Sequence, residues 1–225
     1  TGDSARRPTF ASVHDADSAL VEASDLALHK FIDEATLAAA PALPPPDGEI
    51  RTVFMTGATG YLGRFLCAEY ARRGHHVTAL VRDAAQAGSL ADLSVEAEAT
   101  RPETLEGIMD GVDLIVSSLG ITRQADGLGY REVDFQANLN LLREAEAAGV
   151  GRFAYVHVLN ADAMTDVPLV DAKSAFVDAL HASDMPATVI APTGYFSDMG
   201  EILTMARNGR VWLFGGGAHR LNPIH

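Results

Sequence analysis

Three glycines, Gly57, Gly60 and Gly63, stand in VFMTGATGYLGRFL (53–66), between an apolar run and an amphipathic one. The spacing G-x-x-G-x-x-G suits a turn from a strand into a helix, where free backbone N–H groups meet a phosphate. Gly57 would permit the tight turn, Gly60 the close approach of a pyrophosphate, and Gly63 the close packing of helix on strand. A loop that needs glycine for its geometry alone is the other reading. Thr59, Tyr61, Leu62 and Arg64 belong to the same expected dinucleotide cradle. The next apolar run ends in Leu80-Val81-Arg82-Asp83. An acidic residue at that place would bind the ribose 2′-hydroxyl of NAD, whereas an arginine can pair with the 2′-phosphate of NADP. Arg82 comes first and Arg64 can help, so NADP is expected ahead of NAD, although Asp83 pulls the other way and Arg82 has the alternative of a solvated surface charge. Ser117 and Ser118 end a further apolar run and are expected, with Gly120, to contact ribose or pyrophosphate; simple loop chemistry is the alternative.

The elements that must position these residues follow from the pattern. From residue 51 on, short β-rich runs at 51–56, 75–81, 93–99, 112–118, 152–159 and 187–191 alternate with helical stretches near 61–73, 102–110, 131–148 and 170–183. Apolar strands alternating with helices imply a parallel sheet covered on both faces, the doubly wound α/β (Rossmann) fold. Residues 1–50 differ. They carry nine acidic side chains against Arg6, Arg7 and Lys30 and end in PALPPPDG (41–48), an extended spacer. Short helices around 25–40 that pack on the main domain are one reading of this extension, a mobile tether the other. The domain division expected is therefore 1–50 and 51–225.

Composition narrows the function classes. The chain has 225 residues, is 48% hydrophobic and carries a formal net charge of −13. That charge opposes general binding to nucleic acid or an anionic membrane. No apolar run approaches the ~20 residues of a membrane span, and TGDSARRPTF lacks the apolar core of a signal peptide. A cytoplasmic protein is expected. The single cysteine, Cys67, falls on the first helix as a small buried hydrophobe. His75 and His76 would point to opposite faces of a strand, so no metal site is expected. Trp212 in GRVWLFGGG is read as packing on a late strand.

Residues 51–225 resemble the short-chain dehydrogenase/reductase superfamily, in its atypical branch of isoflavone-reductase-like proteins and proteins like the nitrogen-metabolite-repression regulator. The resemblance is carried by TGATGYLGR (56–64), VDLIVSSLGITRQADGL (112–128), VDFQANLNLLREAEAAGV (133–150), FAYVHVLNAD (153–162), PTGYFSDM (192–199) and GRVWLFGGGAHRLNPIH (209–225). It implies a Ser or Thr that orients the substrate oxygen, a Tyr that moves its proton, and a Lys four residues on that holds the nicotinamide ribose. Lys173 matches the lysine, with an exposed helical lysine as the other reading, but Leu169 occupies the tyrosine position. No hydroxyl follows the fifth strand in Val156-His157-Val158-Leu159-Asn160, where His157 is either an acid or donor or a satisfied histidine at a strand end. Tyr155 lies inside a strand and reads as core, Tyr130 is a further phenol, and Tyr195 follows the sixth strand near the expected nicotinamide position, with Pro192 and Thr193 lining it. Lys173, His157 and Tyr195 are thus the candidate catalytic residues. The resemblance also implies a C-terminal segment after LNPIH that covers the substrate.

Residues 6–64, RRPTFASVHDADSALVEASDLALHKFIDEATLAAAPALPPPDGEIRTVFMTGATGYLGR, resemble the entry into the reductase domain of carboxylic acid reductases. There the segment follows a phosphopantetheine carrier, and NADPH releases a bound thioester as an aldehyde. Beyond the glycine motif the chain departs from that pattern, as a natural variant or a fusion joined near the loop would. The function expected is NADPH-dependent hydride transfer to a small-molecule carbonyl or a carrier-bound acyl thioester; the alternative is a silent NADP-binding redox sensor or scaffold.

Overall fold

The computed structural model describes residues 47–86, 88, 91–121, 127–212 and 223. The helices expected around 25–40 lie outside these residues. Strands β1 (Thr52–Thr56), β2 (His76–Val81), β3 (Leu93–Glu96), β4 (Leu114–Ser117), β5 (Arg152–Val156) and β6 (Ala187–Ile190) form one parallel sheet in the order β3-β2-β1-β4-β5-β6. The order reverses between β1 and β4, and the carboxyl ends on either side of that point bound the crevice where such sheets take ligands. Helices α1 (Tyr61–Arg72), α2 (Asn138–Ala148) and α3 (Pro168–Ala182) follow β1, β4 and β5.

Period-two alternation sorts the strands into two cores. Val53 and Met55 face the layer of α1, with Val77, Ala79 and the buried Cys67. Phe54 faces the other way, toward Leu141 and Leu142 of α2 and Phe176 and Leu180 of α3. Tyr155 lies in this second layer, with its ring edge-on to Phe176 at 4.6 Å between centroids. Cys67 is the buried hydrophobe expected, and burial pushes its thiol up to about 11.

Two expected elements come out differently. The stretch 102–110 forms only a short 3-10 turn, Pro102–Thr104, followed by further turns. Leu105 and Met109 are both buried, so their four-residue spacing imitates a helix. Gly107, at φ +73°, breaks it. Trp212 is not on a strand and is 74% exposed; the last described helix ends at Arg207 and no regular element follows it up to Trp212. The described residues up to Pro192 form one compact unit, and those from Thr193 on, including α4 (Met199–Arg207), belong to another.

Candidate functional site

The glycine loop joins β1 to α1. Gly57 has φ +73°, and a Cβ there would stand 2.8 Å from the carbonyl carbon and oxygen of Ser118 at the end of β4. A Cβ on Gly63 would overlap the Gly57 carbonyl oxygen, so α1 can sit this close only without one. Gly60 is the N-cap, in extended conformation, with its N–H bonded to Gly57 O at 2.9 Å and no side chain capping the helix. The N–H groups of the first helical turn therefore keep their capacity for an anion, which the helix dipole favours. A cleft of about 260 Å³ opens in front of them, lined by Gly57, Thr59 and Gly60 on one side and by Ser118, Leu119 and Gly120 on the other. A cradle that a Cβ would fill, an uncapped helix start and a cleft at the switch point all fit a dinucleotide.

The predicted cradle residues divide by task. Thr59 lends its carbonyl to Arg64 Nε at 3.0 Å, so Arg64 braces the loop. Tyr61, 39% exposed, packs edge-on against Phe65, and Leu62 is half-buried in the first turn. Ser118 donates its hydroxyl to Thr56 O at 3.1 Å and borders the cleft. Ser117 does not line it. The β1–β4 register pairs Thr56 with Ser117, and their hydroxyls meet at 2.9 Å beneath the floor, fully buried. Farther along, Leu80, Val81 and Arg82 at the end of β2 face Ala97 to Thr100 after β3. Arg82 is exposed at this lip. Asp83 accepts the Ala85 N–H at 2.9 Å and so opens the next turn.

A basic floor lies beyond Gly120. Lys173 on α3 brings Nζ within 3.3 Å of Asp134 Oδ1, 3.3 Å of Val156 O and 3.4 Å of Tyr155 Oη. Its side chain is only 12% exposed and that of Asp134 not at all. Burial pulls the Lys173 ammonium below the usual lysine range, with Asp134 opposing the shift. Burial lifts the Asp134 carboxyl above the usual carboxylate range, with Lys173 opposing. A Cβ on Gly120 would collide with Asp134 Oδ1 and stand 3.1 Å from Lys173 Nζ. The phenol that meets Lys173 is that of Tyr155, reached from the strand, but Tyr155 is fully buried and burial pushes its phenol upward.

Asp134 owes its place to a π-helical stretch, Arg131–Ala137, that runs into α2. Widened turns of this kind loosen the carbonyl pattern. Asn138 repairs it by donating Nδ2 to Asp134 O at 3.0 Å and Val133 O at 3.3 Å, while its Oδ1 accepts the Ser117 hydroxyl at 2.5 Å.

His157 follows β5. Its Nε2 stands 3.5 Å from Ser174 Oγ, and its Nδ1 is buried without a hydrogen bond. Burial first and the Lys173 charge second hold the imidazole below its usual range, with Asp162 opposing. Pro192 accepts the Leu159 N–H at 2.9 Å. Thr193 and Tyr195 belong to the second unit, where the Tyr195 N–H bonds Asp198 Oδ2 at 3.1 Å. Sequence reasoning missed Asp134, Asn138 and Ser174. A signal existed for the first two: they fall in the apolar stripe of one helix, with Leu141 and Ala145, where a polar residue needs a partner.

Residues 57–210 match the NAD(P)H-binding family. Among curated proteins, a carboxylic acid reductase of Segniliparus rugosus is 41% identical over 133 residues, covering 57% of this chain and 11% of that protein. The match is longer than the 59 residues of 6–64 that carry the resemblance in sequence, so the likeness runs past the glycine loop. The photosystem II assembly factor Ycf39 of Synechocystis is 29% identical over 168 residues, covering 72% of this chain and 51% of that protein. The chain thus spans about half or less of the length of these relatives. Among solved structures, the NADPH-dependent quinone oxidoreductase QOR2 of Escherichia coli, complexed with NADPH, is 26% identical at a TM-score of 0.55, over 69% of this chain and 53% of that one. The triphenylmethane reductase of Citrobacter complexed with NADP(H), 23% identical at a TM-score of 0.56 over 70% of this chain and 54% of that one, shares the fold. With the glycine cradle, the switch-point cleft and a match across most of its length, the chain is a member of the NAD(P)H-binding family of Rossmann domains.

Proposed function

We propose that the chain is an NADPH-dependent reductase domain that transfers hydride to a carbonyl or, as its likeness to carboxylic acid reductases suggests, to a carrier-bound acyl thioester. The observation that carries this reading is the uncapped start of α1 opening onto a cleft whose far lip, Gly120, lies directly over the Lys173 ammonium. Bound NADPH supplies the hydride. The loop N–H groups hold the pyrophosphate, Ser118 borders it, Arg82 pairs with the 2′-phosphate, and Lys173 reaches the nicotinamide ribose past Gly120. Asp83, already engaged in its own turn, leaves the acidic signature of an NAD site weak. Burial and the Lys173 charge both favour the neutral imidazole of His157, which suits a hydrogen bond better than a charged acid. A thioester suits that supply of protons better than a ketone, since a thiolate leaves without one. Steady NADPH oxidation with an acyl N-acetylcysteamine thioester, with aldehyde formed, tests the reading. Lys173→Ala is expected to lower it at least tenfold, and aldehyde formation unchanged in that variant would refute the mechanism.

The second reading is an NADP-binding sensor or scaffold. One observation favours it: the phenol that meets Lys173 is fully buried, and Leu169 stands where an accessible one would. The likeness to an assembly factor is consistent with it. Tight NADPH binding without turnover on any aldehyde or thioester would support this reading over the first.

A further inference from the structure

We infer that Asp134 is a positioning residue: its buried carboxylate pairs with the Lys173 ammonium and holds it beneath Gly120, at the lip of the cleft. This inference rests on the reductase reading's use of Lys173 as a cofactor contact. The geometry is specific. Asp134 is wholly buried, and its Oδ1 has no hydrogen bond, only the ion-pair contact to Nζ at 3.3 Å. Its Oδ2 accepts the Ile121 N–H at 3.3 Å, one residue after Gly120, so the same carboxylate fixes the lip of the cleft and the cation beneath it. Gly120 leaves no side chain between them.

The charge logic follows from what surrounds Nζ. Asp134 faces it from the π-helical turn, Tyr155 and the Val156 carbonyl from β5, and His157 from the end of β5. The Asp162 charge favours the protonated form of His157, and Ser174 of α3 meets the same ring. Burial raises the Tyr155 phenol, and burial with the Lys173 charge lowers the His157 imidazole, so both shifts favour the neutral forms. Among the described residues, Asp134 is therefore the charge in that shell that favours the ammonium, while burial favours the free amine. Removing the carboxylate lets burial win, and Lys173 loses its proton at lower pH.

Asp134→Asn tests this, since asparagine keeps the volume and can still accept the Ile121 N–H. NADPH is titrated calorimetrically at intervals from pH 6.5 to 9.5. The wild type is expected to hold its affinity until high pH. Asp134→Asn is expected to match it within a few-fold at pH 6.5 and then lose about tenfold at a pH about one unit or more lower than the wild type does. Lys173→Met is expected to bind weakly with no pH dependence over this range. Superimposable profiles for wild type and Asp134→Asn overturn the inference and leave the reductase reading intact. No NADPH binding by the wild type at any pH overturns both. If Asp134→Asn is too unstable for the titration, its double variant with Lys173→Met is expected to melt at higher temperature than the single variant, because an unpaired buried cation costs more than the pair's removal. A double variant no more stable than the single one overturns the inference.

Discussion

Arg82 and Asp83 are neighbours of opposite charge at the end of β2, and their partners bear on which nucleotide the cleft prefers. Asp83 accepts the Ala85 N–H on Oδ1, and Arg82 borders the cleft at its exposed lip. Arg82→Ala is accordingly expected to weaken NADPH about tenfold, roughly 1.4 kcal/mol, and to leave NADH within a few-fold, as read by fluorescence titration of the two nucleotides. The glycines divide in the same manner. Gly57→Ala forces a left-handed residue against Ser118 and should cost about 2 kcal/mol or more in urea unfolding. A Cβ at Gly60 meets only the Gly57 carbonyl, at 3.1 Å, so Gly60→Ala should fold within about 1 kcal/mol of wild type yet bind NADPH at least tenfold more weakly. If the two variants lost stability and affinity in parallel, the loop would be structural only.

At the scale of elements, the π-helical entry into α2 is the piece that places chemistry. Asn138 holds it to β4 through Ser117 and returns hydrogen bonds to Val133 O and Asp134 O. Asn138→Ala strands those buried carbonyls and should destabilise by about 2–4 kcal/mol, whereas Ser117→Ala, losing a hydroxyl in the same network, should cost about 1–2 kcal/mol and leave the NADPH Kd unchanged. Chemical unfolding and a binding titration read both. The sequence made the regular elements visible because their apolar runs have the periods of strand and helix: 131–148 and the six strands fall close to where the pattern put them. Leu105 and Met109 misled because burial at four-residue spacing does not require a helix when Gly107 interrupts it. The π-helix was invisible for a related reason, since a widened turn has no period of its own in the sequence and Asn138, which bonds the loosened carbonyls, reads as one more helical position. The Tyr155–Lys173 contact joins residues 18 apart on different elements, so a search for Tyr four positions before Lys could not find it. Gly57, Gly60 and Gly63 were legible because a close backbone approach admits only one residue type.

The whole molecule carries its ligand site at one end of the parallel sheet and a different buried group at the other. His75 precedes β2, is 7% exposed, and accepts the Arg51 N–H on Nδ1 at 3.1 Å. Burial, then the Arg51 charge, lowers its pKa below the ordinary histidine value. The stability it contributes is therefore present above pH ~6.5 and lost as pH falls through the lower folded value, where a proton on Nδ1 would also displace the Arg51 N–H. Wild type is expected to exceed His75→Asn in urea stability by about 1 kcal/mol at pH 8, with the gap closing toward pH 5. The net charge of −13 gives no general attraction for an anionic nucleotide, so the proposed reading draws its affinity from the local donors of α1, Arg82 and Lys173. Calorimetric titration of the purified chain with NADPH and, separately, NADH tests that directly. Tight binding of NADPH with NADH weaker by about tenfold or more, about 1.4 kcal/mol, is the result predicted. Heat from neither nucleotide would contradict the account, because the cradle would then be a turn and nothing more.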